Sequence, residues 1–348
     1  HDLIQFALPI GIQNLVMSSL NMVAVVLIGQ LGEAPLAAVG LANQVFFLLQ
    51  LVLYGINTGS AIFIAQLWGK RDVSNIRKVL SLALLIGILP ASFFFAMARF
   101  APALVLGIYS KDPSVIALGS EYLKVFAPGY LCFAVSFGFA IALRSIGLVR
   151  IPMLISAFAL AVNALLSYVL IFGKFGFPAM GVRGAALAGL AVRILELGLL
   201  LGFVYSRRMP LSVSYQDFLS LDLGFFGRIF KPILPVILNE TFWSLGVNTY
   251  YIVYARINTD SIAAMNIFAT VENLALVMVF GIANGTAVMV GNRIGAGNEK
   301  RAFEYAVRSY ALAIALGILI GSQLVIWSPA ILSLYKVSPQ VIDYAHKA

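Results

Sequence analysis

A carboxylate set within an apolar helix is the residue in this chain best placed to do chemistry. Glu240 lies in KPILPVILNETFW (Lys231–Trp243), and the apolar run continues from Ser244 to Ala255. The segment is long enough to cross a bilayer, which takes roughly 20 apolar residues. A carboxylate there costs about 2.5–3.5 kcal/mol on insertion scales and faces a bundle interior, a water-filled cavity or a partner. Burial favours its protonated form and a bound cation its charged form, so the chemistry it supports is exchange of a proton against a cation. Glu272, in the eighth apolar stretch, has no basic neighbour at helical spacing. Glu240 and Glu272 are the candidates for cation or proton coupling.

Arg193 and Glu196 stand three apart on one helix face, a spacing that allows local pairing, and are read as a structural ion pair. Amides supply most of the other polarity: Gln13, Asn14 and Asn21 in the first span, and Asn163 with Ser167 one turn on in the fifth. An amide in lipid either bonds a neighbouring helix or lines a cavity. Asn21, Gln44, Asn163 and Asn239 are the candidate lining of a substrate cavity, with Trp243 and Tyr250 from the helix of Glu240. Aromatic faces attract organic cations. Phe46, Phe47 and Phe93–Phe95 are assigned instead to lipid contact or core.

Other chemistry is excluded by residue type. The single Cys132 forms neither an intrachain disulfide nor a metal cluster, and His1 and His346 sit at the chain ends, so no internal histidine serves a relay, triad or zinc site. GNRIGAGNEK has the glycines of a phosphate loop, but no strand precedes it and no GK[ST] follows. It reads as a helix end and turn. With no nucleophile–base pair, an enzyme is not expected, nor is any cofactor beyond a coupling ion, H+ or Na+.

The elements that must position these groups are membrane spans. Hydrophobic residues make up 61% of the chain and charged ones 11%, against about 25% charged in soluble domains; the mean hydropathy is +0.97. Spans are predicted at roughly 3–30, 36–68, 79–109, 117–143, 151–173, 182–206, 229–255, 261–292 and 303–335, with a tenth starting near 338. Sliding Pro9 onto Pro235, an offset of 226, aligns LPIGIQN with LPVILNE and YGINTGSAIFIAQLWGKRD with FGIANGTAVMVGNRIGAGN. Gly55 and Gly59, and Gly281 and Gly285, form a GxxxG in each copy and are assigned to close helix packing. If the seventh span repeats the first, each half should hold six, and the chain is read as a fragment. Two homologous halves with a substrate path between them are a transporter plan.

The net charge of +9 is read as basic loops on one membrane face, not as nucleic-acid binding. Loops after even-numbered spans carry Lys70, Arg71, Arg77 and Lys78, then Arg144 and Arg150, then Arg207, Arg208, Arg228 and Lys231, then Arg293, Lys300, Arg301 and Arg308. The opposite loops hold Lys111, Lys174, Arg183, Arg256 and Lys336. The richer set is cytoplasmic by the positive-inside rule, which makes the N-terminus cytoplasmic.

LNMVAVVLIGQLGEAPLAAVGLANQ, GSAIFIAQLWGKRD, ALRSIG, NALLSYVLIFGKFGFPAMGVRGAALA and LPVILNE together resemble the multidrug and toxic compound extrusion (MATE) family over essentially the whole chain. The resemblance implies an all-α polytopic membrane protein, two six-helix lobes around a central cavity, exporting organic cations or other drugs in exchange for H+ or Na+. It also exposes departures. Ala24 stands where relatives usually have an acid, with Asn21 kept; Ser167 stands for a usual acid or amide, with Asn163 kept; and Gly189 follows Ala188 where a Thr is common. The first-lobe cation site implied by the family has therefore lost its carboxylates, and the second-lobe acid is Glu240, one turn before the position of Trp243.

The expected organisation is a first lobe over 1–206, a cytoplasmic connection over 207–228 with interfacial character, and a partial second lobe over 229–348. The expected function is secondary antiport of a small, cationic molecule across the plasma or inner membrane by a monomer. Two rivals remain: a flippase for lipid-linked sugars, which needs a strongly cationic cavity, and a non-transporting membrane scaffold.

Overall fold

The computed structural model describes Val23, residues 26–257, Glu272 and residues 279–333. Asn21, Ala24, most of the first and eighth predicted spans and the start of the tenth lie outside the described residues. Every regular element among the described residues is an α-helix, and six of these helices are long and apolar enough to cross a membrane. The protein is a multi-pass membrane protein.

Helix α1 (Glu33–Gly69) follows Gly32, whose φ of 114° turns the chain into it. Helix α2 (Val73–Phe100) is capped by Asp72, which accepts from the Asn75 N–H at 3.1 Å. The predicted span 79–109 is not one helix: α2 starts earlier and ends at Ala101, after which α3 (Pro102–Gly107) begins on its own proline. The span at 117–143 is likewise divided into α4 (Pro113–Phe126) and α5 (Pro128–Ser145), because Pro128 lacks the N–H that would continue the ladder. Asp112 caps α4, and hydrogen bonds from the Ser114 hydroxyl and N–H hold its carboxyl below the usual carboxylate range. Helix α6 (Arg150–Phe172) ends at left-handed Gly173, and α7 (Gly181–Ser206) completes the first lobe.

The connection over 207–228 is more ordered than a polar loop. It contains the short α8 (Tyr215–Leu219), held by a capping box between Ser214 and Asp217. Helix α9 (Leu223–Ile257) then starts six residues before the predicted 229, because Asp222 accepts from the Phe225 N–H and caps it. A helical stretch at 279–295 and α10 (Glu299–Ser333) follow.

The internal repeat is visible in hydrogen bonds. At the end of α1, Arg71 N–H donates to Trp68 O at 3.0 Å and Asp72 N–H to Leu67 O at 2.9 Å. At the positions 226 further on, Gly297 N–H donates to Ile294 O at 3.0 Å and Asn298 N–H to Arg293 O at 2.9 Å. Arg71 and Gly297 share the left-handed region, with φ of 59° and 73°, and Asn298 caps α10 through the Arg301 N–H as Asp72 caps α2. GNRIGAGNEK is thus a helix end and a turn.

Two apolar clusters hold the first lobe together. One is built on Leu49, Leu53, Leu123 and Tyr130. The other gathers Ile64, Ile76, Leu143 and Leu200, and takes in Ile229 and Ile233 of α9. The second cluster therefore ties the helix of Glu240 to the first lobe. Ile233 faces Gly59, where an added Cβ would come 2.6 Å from the isoleucine Cγ2, so one glycine of the first GxxxG is an α1–α9 packing position.

Candidate functional site

Glu240 stands two turns beyond Ile233 on the same face of α9, since residues seven apart on an α-helix are nearly aligned. The Ile233–Gly59 contact consequently directs Glu240 at α1, on the side of Tyr54. Tyr54 is half-buried, with Asn284 and Arg144 of α5 in its surroundings. Side chains from α1, α5, α9 and the 279–295 stretch thus form one polar cluster at the junction of the repeats.

Beside it lies a cavity of about 80 Å³ bordered by Thr58, Arg144, Ser145, Asn284 and Val288. Its hydroxyls and amide are engaged by their own helices: Thr58 donates to Tyr54 O at 2.8 Å, Ser145 to Ile141 O at 2.9 Å, and Asn284 to Phe280 O at 2.8 Å. A cavity of this size holds a few waters, whereas drug-sized ligands occupy about 300–1,000 Å³.

The contact between α1 and the 279–295 stretch is built from glycine. A Cβ at Gly295 would overlap the carbonyl of Gln66, and one at Gly69 would overlap the carbonyl of Asn292. A Cβ at Gly291 would come 2.9 Å from the Cβ of Ala65. The 226-residue offset carries Gly69 onto Gly295 and Gln66 onto Asn292, exchanging the first two pairs, and relates Ala65 to Gly291 in the third, so α1 and the 279–295 stretch meet as a pseudo-twofold clasp.

The second polar constellation is inside the first lobe. Arg193 Nη1 donates to Glu196 Oε2 at 2.8 Å, and Ser156 of α6 donates to Glu196 Oε1 at 2.8 Å. The guanidinium carbon stands 5.2 Å from the ring centre of Phe46 and 4.9 Å from that of Phe133. Arg144 lies within electrostatic reach of Glu196 as well as of Tyr54.

The sequence candidates do not gather at one place. Glu240 joins the inter-repeat cluster, and Arg193 meets Glu196. Asn163 is half-buried with its Oδ1 buried and lacking a hydrogen-bond partner. Gln44, Asn239, Trp243, Tyr250 and Glu272 are exposed, and Asn21 is outside the described residues. Trp243 and Tyr250, ranked first for cation contact, are 58% and 64% exposed. It is Phe46, assigned to lipid or core, that lies against a cation.

Sequence reasoning passed over Tyr54, Phe133, Ser156 and Asn284. A tyrosine or phenylalanine in an apolar run gives no local signal, and a serine in a membrane helix normally bonds its own backbone. Ser167 is buried, and Gly189 faces Phe126, whose ring would lie 3.1 Å from an added Cβ. That ring fills the space a Thr would need.

A family model described as MatE matches residues 9–169 and 235–348; its two blocks begin at Pro9 and Pro235, the residues that set the repeat offset. A probable multidrug resistance protein NorM of Thermotoga maritima is 26% identical over 350 residues, covering 98% of this chain and 73% of that protein. One of the same description from Rhizobium meliloti is 32% identical over 294 residues, 80% of this chain and 60% of its own length. Among solved structures, a MOP superfamily transporter from Pyrococcus furiosus superposes with a TM-score of 0.84 at 21% identity, covering 99% of this chain and 76% of the other. An outward-facing multidrug resistance MATE family transporter gives 0.85 at 20%, with the same two shares. These likenesses show the two-lobe fold.

Proposed function

The chain belongs to the MatE family, and from that premise we propose that it is the greater part of a secondary antiporter that exports organic cations or other drugs in exchange for H+ or Na+. Glu240 is the group that exchanges the coupling ion. The observation that carries this reading is its placement: the only carboxylate of α9 lies two turns beyond Ile233, which packs on Gly59 of α1, so a change of its charge bears on how the repeats meet. Binding a proton or cation there stabilises one access state and substrate the other, and the coupling equals the difference in affinity between those states. Glu272 and the amides Asn21, Gln44, Asn163 and Asn239 are proposed to tune the path, with Trp243 and Tyr250 as exposed aromatic surface for a cationic substrate. The membrane is the plasma or inner membrane, the N-terminus is cytoplasmic, and the unit is a monomer.

A flippase for phosphate-linked lipids is less well supported, because Arg193 is neutralised by Glu196 at 2.8 Å and does not present a free cationic surface. The test is substrate efflux from proteoliposomes holding the full-length protein, under imposed proton or sodium gradients, with thermal unfolding as the folding control. Glu240→Gln keeps the shape and removes the charge, so it should abolish gradient dependence with little change in Tm. Wild-type gradient dependence in that variant would place coupling elsewhere.

A further inference from the structure

The first lobe presents a box of the composition that binds organic cations, and the box is already full. Its walls are two aromatic rings, Phe46 from α1 and Phe133 from α5, with ring centres 4.8 Å apart and planes at 64°. Its floor is a carboxylate, Glu196, held in place by the Ser156 hydroxyl at 2.8 Å. Phe46 is itself fixed by Tyr130, stacked at 6.0 Å, and by Phe126, edge-on at 6.0 Å. The occupant is the guanidinium of Arg193, in range of both ring faces and bonded to the carboxylate. Aromatic faces plus one carboxylate are the features by which proteins take up guanidinium and quaternary ammonium ions.

The neighbouring residues account for why the occupant is tethered. Of the polar residues the family resemblance implies, Ala24 stands for the acid, Ser167 for the acid or amide and Gly189 for the Thr, and Glu196 is the one carboxylate of α7. Without Arg193, this largely buried carboxylate would keep the influence of Arg144 but lose its bonded partner, and the place between the rings would call for a counter-ion from solution. Arg193, one turn before it on the same face, supplies that charge permanently.

We propose that the Phe46–Phe133–Glu196 box is a cation-binding site for guanidinium-type and small quaternary ammonium ions, with Arg193 as its covalently held ligand. The box is charge-balanced without a mobile ion, so it takes up no coupling cation, and exchange is confined to Glu240. The site stands on geometry alone; only this last consequence rests on the antiporter reading.

Removing the tether should leave a vacancy that a free cation fills. In the full-length protein, Arg193→Ala leaves Glu196 without its partner and should lower Tm. Millimolar methylguanidinium should then recover at least half of the loss, rising with the logarithm of its concentration as ligand linkage requires. Uncharged methylurea should not, wild type should not respond, and Arg193→Ala/Glu196→Gln should lose the recovery. Should Arg193→Ala not fold alone, it is produced with methylguanidinium present, and the yield of monodisperse protein replaces Tm as the readout. No recovery in either format, equal rescue by methylurea, or an equal shift in wild type would overturn the proposal. The readout is stability and not flux, so its failure leaves the Glu240 efflux test untouched, and failure of that test leaves this one untouched.

Discussion

Gly69 and Gly295 are repeat partners that close the same seam from opposite sides. Gly69 faces the carbonyl of Asn292, Gly295 faces that of Gln66, and Gln66 and Asn292 are themselves equivalent under the offset that carries Pro9 onto Pro235. Neither position has room for a Cβ. The backbones of α1 and the 279–295 stretch can therefore touch only while both residues are glycine.

Gly295→Val should force this seam apart. Overfilling a packed contact typically costs about 1–3 kcal/mol, and here the obstacle is backbone, which cannot move aside as a side chain can. A cysteine placed at Ala65, buried in the seam, should be labelled slowly in an otherwise wild-type protein lacking Cys132. Adding Gly295→Val should raise the labelling rate at least tenfold, and Gly69→Val should do the same from the other repeat. Unchanged labelling in both variants would mean the seam is not what closes this face.

Much of this arrangement was legible in the sequence, and the rest was hidden for identifiable reasons. Helices, the repeat and the turn at Gly297 could be read because apolar period, offset and glycine placement are local signals. The Arg193–Glu196 spacing predicted a pair within reach. Phe46 and Phe133 could not be assigned to Arg193, because they come from other helices distant in the chain and an aromatic in an apolar run looks like any core residue. Tyr54 was hidden in the same way. The start of α9 was misplaced because Asp222, inside a segment that reads as a polar connection, is in fact its cap. Trp243 and Tyr250 were ranked by their helix, which says nothing of exposure.

The direction of the chain across the membrane follows from its basic loops and can be tested on two exposed residues. Ser74 lies just after the Gly69 turn and Lys111 just before α4. With Cys132 replaced, a cysteine at Ser74 should resist a membrane-impermeant thiol reagent in intact cells and react after permeabilisation. A cysteine at Lys111 should react in both. Labelling of both positions from outside would contradict the cytoplasmic placement of Lys70–Lys78.

Gly189 shows how a departure from the family pattern is fixed by packing. Helices α6 and α7 run side by side, with Ser156 meeting Glu196 and Gly184 lying against the backbone of Leu170. This register sets Asn163 level with Gly189. A hydroxyl at Gly189, as a family Thr would provide, could then reach the unpartnered Oδ1 of Asn163. The space is taken by Phe126, whose ring would lie 3.1 Å from the new Cβ and which is wedged edge-on against Phe46 at 6.0 Å. Gly189→Thr should therefore destabilise by about 1–3 kcal/mol, as overpacking does. Phe126→Leu alone should also destabilise, by loss of ring contacts. Combined, the two should cost less than the sum of the singles, because the smaller side chain makes room for the threonine, with a coupling of about 0.5–3 kcal/mol. A double-mutant cycle on thermal or denaturant unfolding measures it. Strict additivity would show that Phe126 is not what keeps this position a glycine.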